Sequence, residues 1–378
     1  MNRRNFGKRL ATHMASAGGL VGTTVAAAET SPAIARDQST TAPLASKRRR
    51  SDGTHGTHQA LIKPARLQRG DLVGLIAPSG VMDDATIQKS VTNVESLGFK
   101  VKLSPNIRAV RGGYAGTVAQ RLDDLHGMFR DREVKAIWAA RGGSGCSGLL
   151  PGIRYDFIRQ HPKILIGYSD ITALHLAIHR MTGLVTFHGP VAPSTQNDYA
   201  LTQLAAVLME PRAETEINMS IENKRREITQ PEFTLRTLRA GVATGHLIGG
   251  NLSVLAALIG TPYAAQFKNS LVFLEDVHEP PYKVDRMLTQ LDQQQHDALG
   301  QAAGVMLGVF TKADSPVGDA TLTLDEVIDD HLAALPIPAV YGYSFGHIPH
   351  QFTIPYGVMA KLDTESQTLT LLESAVSE

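Results

Sequence analysis

Residues 164–174 read ILIGYSDITAL. Three apolar residues run into Gly167, the polar Ser169 and Asp170 follow Tyr168, and Leu174, Ala177, Ile178 and Met181 then recur at helical spacing. A short apolar run closed by glycine is the pattern of a strand buried on both faces, and the change of period marks a strand–turn–helix unit. Ser169 lies on the turn, and two readings of it are open. A serine before a helix accepts N–H bonds from the first turn and caps it. A serine on a tight strand-to-helix turn is also the way α/β enzymes present a nucleophile at the carboxyl end of a sheet, with helix N–H groups available to an oxyanion. GYSD lacks the second glycine of G-x-S-x-G, so the pattern by itself favours the cap.

The same unit recurs around this stretch. DLVGLIAPSG (71–80) reads as a buried strand running into a loop, IQKSVTNVESLGF (87–99) as a helix stopping at Gly98, and VKLSP as a strand. VAQRLDDLHGMF (118–129) puts Val118, Leu122, Leu125 and Phe129 on one helical face, and VKAIWAAR (134–141) is again a strand. Alternating strands and helices predict an α/β fold with a mainly parallel sheet wrapped by helices. Residues 196–235 are more polar and less regular, and are predicted as a surface connection. Beyond them TGHLIGGNLSVLAALIG (244–260) reads as a strand, a Gly-Gly turn and a helix. LVFLED (271–276) reads as a strand, YKVDRMLTQL (282–291) as a helix, and AAGVMLGVF (302–310) and KLDTESQTLTLLE (361–373) as further strands. The predicted domains are an N-terminal α/β domain over 61–220 and a second, C-terminal one over 240–378.

Bulk properties narrow the function classes. The 378 residues carry a formal net charge of +1, but residues 1–59 hold 9 basic residues against 3 acidic ones. The remainder has 28 basic and 33 acidic residues, a balance of about −5 with no nucleic-acid footprint. The single cysteine, Cys146, excludes an intramolecular disulfide framework and a cysteine-based zinc site. No run of 18 apolar residues follows the leader, so neither a membrane span nor stable membrane association is expected. The leader itself, MNRRNFGKRL followed by an Ala-, Gly- and Val-rich stretch, resembles a bacterial twin-arginine signal over residues 1–35. Cleavage near Ala28 or Ala35 would release a periplasmic protein. Residues 36–60, with KRRR at 47–50, read as a flexible tether.

A nucleophilic serine needs a base, and the base an orienting carboxylate. Of 14 histidines, His55 and His58 fall in the tether. His175 and His179 lack the glutamate of H-E-x-x-H, so they read as helix-face residues and no metal is expected. His188, in TFHGP, is placed to line a pocket. His347, after Gly346 in YGYSFGHIPHQFTIPYG, sits in a glycine-framed loop of the kind that carries mobile catalytic groups. Glu275 and Asp276 end a strand and point to opposite faces, so only one reaches a site at that edge; Glu279 reads as a loop residue. WAARGGSGCSGLLPGI (138–153) brings backbone N–H groups close to a ligand without the spacing of a dinucleotide loop. There Arg141 is either an anchor for a substrate carboxylate or part of a sheet-edge salt bridge.

The blocks LIAPSG, RGGYAGTVAQRLDDLHGMF, IWAARGGSG, PKILIGYSDITAL, TFHGP, GHLIGGNLSVLAALIGTPY, LVFLEDVHEPPYKVDRMLTQL and YGYSFGHIPHQFTIPYG occur in that order. Together, across residues 65–375, they resemble the LD-carboxypeptidase family of serine peptidases. That family contains the muramoyltetrapeptide carboxypeptidases and the microcin C7 self-immunity peptidase. The resemblance implies Ser169 as nucleophile, His347 as base, Glu275 as the carboxylate that orients it, and the N–H groups of Gly143 and Asp170 as the oxyanion hole. Arg141 is nominated for the terminal carboxylate. Ser144 stands where the family commonly has an aromatic residue in RGGYG. The resemblance further implies a smaller, mixed α/β C-terminal domain, an active site between the two domains, no cofactor, a homodimer, and a murein tetrapeptide cut between meso-diaminopimelate and the terminal D-Ala. One rival in the same fold is an acyl-sulfamoyl or aminoacyl-nucleotide peptidase. It needs an aromatic platform, and the one tryptophan, Trp138, falls in a predicted buried strand. A rival of another class is a periplasmic solute-binding protein, which has no need of Ser169, Glu275 and His347 together.

Overall fold

The computed structural model describes residues 60–294, 298–315, 318 and 320–378. The twin-arginine leader and nearly all of the tether therefore lie outside the described residues. From Leu72 the chain alternates as its periodicity predicts. β1 (Leu72–Ile76), α1 (Asp84–Ser96), β2 (Lys100–Leu103), α2 (Val118–Arg130) and β3 (Val134–Ala139) lead to α3 (Tyr155–Gln160) and β4 (Ile164–Gly167). Then come α4 (Thr172–Thr182), β5 (Phe187–His188), α5 (Asp198–Leu208), β6 (Thr215–Ile217) and α6 (Ile221–Arg226). The second half contains β7 (Arg236–Arg239), β8 (Val242–Asn251), α7 (Leu252–Ala257), β9 (Ser270–Glu275), α8 (Pro281–Asp292) and β10 (Gly304–Val309). It ends with α9 (Leu324–Leu332), β11 (Ala339–Gly346), β12 (Ile354–Pro355), β13 (Met359–Asp363) and β14 (Thr368–Leu371).

Helix starts follow their caps. Asp83 accepts from Thr86 N at α1, and Thr117 and Gln120 form a reciprocal capping box at α2, as Thr323 and Glu326 do at α9. α4 ends at Gly183, whose positive φ lets its N–H close on His179 O.

Two sheets result. The first has the order β12-β5-β4-β3-β1-β2 and is parallel except for β12. The second, β6-β14-β13-β8-β9-β10-β11-β7, has a parallel centre from β8 to β11 with antiparallel strands on either side. This is the expected mixed α/β architecture, with eight strands in the second sheet against six in the first. β4, β9, β10 and β11 are buried along their whole length, as parallel strands covered on both faces must be. One apolar core runs through both sheets, from Leu75 and Ile166 to Phe273, Phe345 and Tyr356. Each fully buried Leu or Phe in it contributes about 1.5–3 kcal/mol relative to exposure.

Two expectations need correcting. Residues 196–235 are not a bare connection: they hold α5, β6, α6 and β7's neighbouring turn, because Leu204, Val207, Leu208 and Ile217 supply buried faces. Gly249 and Gly250 do not form a turn either. They lie inside β8, where a Cβ on Gly249 would come within 1.8 Å of Phe273 O, so glycine lets β8 and β9 close up. The chain turns later, at Asn251, whose side chain caps α7 by accepting from Val254 N.

Candidate active site

The turn after β4 bears on the cap reading of Ser169. Its φ is +64°, the left-handed region that costs a non-glycine residue about 1–2 kcal/mol. Neither the short 3₁₀ turn Ser169–Ile171 nor α4 carries a side-chain cap hydrogen bond. The hydroxyl is therefore not spent on a cap, and the backbone is strained where the side chain is presented. Gly142 borders it: a Cβ there would stand 2.9 Å from Ser169 Cβ and 3.1 Å from its Oγ.

The loop beyond β3 is braced from three sides. Asp170 is buried, and its Oδ2 accepts from Ser79 Oγ at 2.6 Å and from Cys146 N at 2.9 Å. Arg121, on α2 and also buried, donates to Pro78 O and Gly145 O. Gly80 N donates to Gly142 O at 3.2 Å. The loop after β1, the GGSGC loop and the Ser169 turn are thus one hydrogen-bonded assembly at the carboxyl end of the first sheet. Gly143 takes φ +124° within it.

Glu275 ends β9 and is fully buried; His347 follows β11 and is half-buried. His347 Nδ1 lies 2.7 Å from Glu275 Oε2. Burial alone would push the Glu275 carboxyl up, but the charge and hydrogen bond of His347 outweigh it and hold the group below its ordinary value. Burial likewise works against a charged His347, yet Glu275 raises it overall. An ionised carboxylate only accepts, so Nδ1 carries the proton and Nε2 keeps a lone pair. The His347 ring packs edge-on against Tyr168, the residue before Ser169, with centroids 4.8 Å apart. Strands of different sheets thereby meet at Tyr168–Ser169.

Asp276 turns the other way, as alternation along a strand requires. It accepts from Asn251 Nδ2 at 3.0 Å and Ser253 N at 2.8 Å, and burial with the nearby Glu275 charge pushes it up to about 6. Arg141 is exposed and donates to Val81 O at 2.8 Å, at the rim of the same loop assembly, and forms no salt bridge among the described residues. His175 is buried in α4 and donates Nε2–H to Gly167 O, while His179 Nδ1 approaches Leu184 O. Both serve packing. Trp138 is buried, with Nε1 donating to Pro190 O at 2.7 Å.

Sequence reasoning missed Ser79, Arg121 and the part played by the Asp170 carboxylate, which ties the loops together. The quoted blocks contained all three residues, but nothing in a linear pattern pairs an APSG loop with a Cys146 N–H. Tyr114 was also missed. It is partly exposed, lies under Arg121 at 5.1 Å, and faces Gly145, beside Ser144. Among the described residues no group of three His, Cys, Asp or Glu converges as a metal site, and no helix is long and apolar enough to cross a membrane.

Sequence and fold comparisons bear on the chain as a whole. The LD-carboxypeptidase N-terminal domain profile matches residues 73–189, and the C-terminal domain profile matches residues 244–362. The "Probable murein peptide carboxypeptidase" of Bacillus subtilis is 38% identical over 316 residues, 84% of this chain and 96% of that protein. The "Murein tetrapeptide carboxypeptidase" of Pseudomonas aeruginosa is 34% identical over 297 residues, 77% and 92% of the two chains. The crystal structure of an MccF-like protein from Bacillus anthracis superposes with a TM-score of 0.72 at 31% identity, covering 82% of this chain and 99% of its own. The chain belongs to the LD-carboxypeptidase family.

Proposed function

We propose that the protein is a serine carboxypeptidase that removes the terminal D-Ala from murein tetrapeptide, with Ser169, His347 and Glu275 as its triad. One observation carries this reading: the buried Glu275–His347 pair lies against Tyr168, beside a strained and uncapped serine. His347 Nε2 takes the Ser169 hydroxyl proton as Oγ attacks the carbonyl on the L-centre of meso-diaminopimelate. The N–H groups of Gly143 and Asp170 receive the developing oxyanion; losing one such donor costs about 3 kcal/mol of barrier. The tetrahedral adduct collapses, His347 passes its proton to the leaving amine of D-Ala, and water hydrolyses the acyl-enzyme by the same steps in reverse order. Arg141, at the rim, is the candidate cation for the terminal carboxylate.

The likeness to an MccF-like protein supports a second reading, an acyl-sulfamoyl or aminoacyl-nucleotide substrate. Trp138 is buried and offers no platform, so the aromatic face for such a base would have to be Tyr114. Membership of a peptidase family argues against the solute-binding reading. The leader supports twin-arginine export to the periplasm, where sacculus-derived peptides would be met, and the family supports a homodimer of 61–220 and 240–378 domain pairs. Mass spectrometry of purified protein with murein tetrapeptide tests the activity: tripeptide plus D-Ala is expected, and unchanged tetrapeptide alongside cleavage of an aminoacyl-sulfamoyl adenosine would favour the second reading. Fractionation tests export; full-length chain found only in the cytosol would reject it.

A further inference from the structure

His188 has no part in the mechanism above, yet it is among the most enclosed polar side chains of the protein. It is fully buried in β5, where its backbone pairs with Gly167 on one side and Ile354 on the other. Its ring projects from the first sheet into the second, meeting Phe273 at 5.5 Å and Phe345 at 6.4 Å, and Tyr168 at 5.9 Å. Phe273 and Glu275 are two residues apart on β9 and so share a face. The imidazole is therefore aimed at the face that carries the triad carboxylate.

Both nitrogens of His188 are buried without a hydrogen-bond partner, and so is Glu275 Oε1, the oxygen that His347 leaves free. A phenyl ring would fill the same apolar slot without burying unpaired polar atoms, which proteins rarely tolerate. These orphaned polar atoms belong to two groups close enough for the charge of one to act on the other, and they are complementary: a neutral imidazole has an N–H to give, and Oε1 only accepts. We propose that His188 is a positioning residue for Glu275, donating an N–H to Oε1 through one water or a small rotation, and so holding the carboxylate in the ionised, His347-facing form during turnover. The proposal rests on the triad reading given above.

The surroundings suit this role. Burial, the dominant influence, pulls His188 down to about 4 against the opposing charge of Glu275, so the ring is neutral at working pH. The other titratable groups bearing on His188 are His347, His175 and Tyr168. Those bearing on Glu275 are His347, His188, Asp276, Tyr168 and Tyr356, together with the Asn251 amide, which donates to Asp276 Oδ1 and also helps to hold the Glu275 carboxyl down. A donated hydrogen bond to Oε1 favours the ionised carboxylate. Removing it makes the Glu275–His347 pair hold its proton more tightly, which moves the acidic limb of kcat/KM to higher pH.

The test is the pH profile of tetrapeptide hydrolysis by the full chain carrying His188→Phe, His188→Asn or His188→Gln. His188→Phe keeps the ring contacts. The expected result is a kcat about tenfold lower at unchanged KM, with the acidic limb displaced upward. Asn or Gln, whichever places its amide N–H where the imidazole donor lay, should return the limb toward the parent. A His188→Phe enzyme with the parental kcat and limb, altered only in melting temperature, would overturn the proposal. Should that variant not fold, Asn and Gln still decide it, since each mimics one ring nitrogen: unequal limbs support the role and equal limbs overturn it. Ser169→Ala run in parallel separates the two claims. An inactive Ser169→Ala beside a parental His188→Phe removes only the positioning role, whereas an active Ser169→Ala removes the triad reading itself.

Discussion

Asp170 and Gly142 hold the serine turn from opposite sides. Asp170 fixes the loop by its carboxylate, and Gly142 leaves room for the hydroxyl by having no side chain. Gly142→Ala would push a methyl group against Ser169 Cβ and Oγ. A displacement of about 1 Å at a reacting centre costs on the order of a hundredfold, so kcat/KM of this variant should fall by about that factor with the fold retained, as circular dichroism would verify. His347 gives a second prediction. The base works only when neutral, and Glu275 raises its proton affinity, so the acidic limb of kcat/KM should fall off above the ordinary histidine value of about 6.5. Glu275→Gln removes the charge that raises it; the limb should move to lower pH while kcat drops, and an unmoved limb would show that Glu275 does not set the base. At this scale the sequence was half legible. Ser169 alone reads as a cap, because capping serines are common; φ +64° and the lack of a cap bond are conformational facts that no spacing rule carries.

Elements follow periodicity where one face is plainly apolar, and escape it where tertiary contact decides. α1, α2, α4 and β1 to β4 stand within a few residues of their expected spans, while the short α3 had no expected counterpart. β8 does not stop at its glycine pair, because β9 needs the space that a turn signal would otherwise claim. The pair α8–α9 holds a contact of similar kind. Asp285 and Asp292 lie seven residues apart on α8, and His331 of α9 reaches both, with Nε2 2.9 Å from Asp285 and Nδ1 2.9 Å from Asp292. When the ring is protonated, each N–H has a carboxylate to donate to. The Asp292 hydrogen bond raises its proton affinity most, burial opposes, and Asp285 adds to the rise. A raised folded-state value contributes stability that is fully present below the unfolded value of about 6.5 and is lost as pH climbs through the folded one. Thermal melts of His331→Asn against the parent should differ most at acidic pH and converge in alkaline buffer. The gap should stay within about 2 °C, because both aspartates are partly exposed and screened.

Across the whole molecule the proposed triad draws on distant parts of the chain: Ser169 from the end of the first sheet, Glu275 and His347 from the ends of β9 and β11 in the second. The alternating pattern made both halves readable, but not the return of the chain to the first sheet. β12 pairs antiparallel with β5 through Ile354 and His188, a two-residue contact too short to leave a periodic trace. A chain ending before Ile354 loses β12 from one sheet and β13 and β14 from the other. It should be insoluble or unfolded on expression, and a folded, active product would mean that the two sheets are less dependent on each other than this topology implies. The central claim is that His347, held by Glu275, activates Ser169 as a nucleophile. Labelling with a serine-reactive fluorophosphonate, followed by peptide mapping, tests it most directly. A single adduct on Ser169, lost in His347→Ala and in Ser169→Ala, is the predicted result; an adduct elsewhere, or none at all from an enzyme that still releases D-Ala, would contradict it.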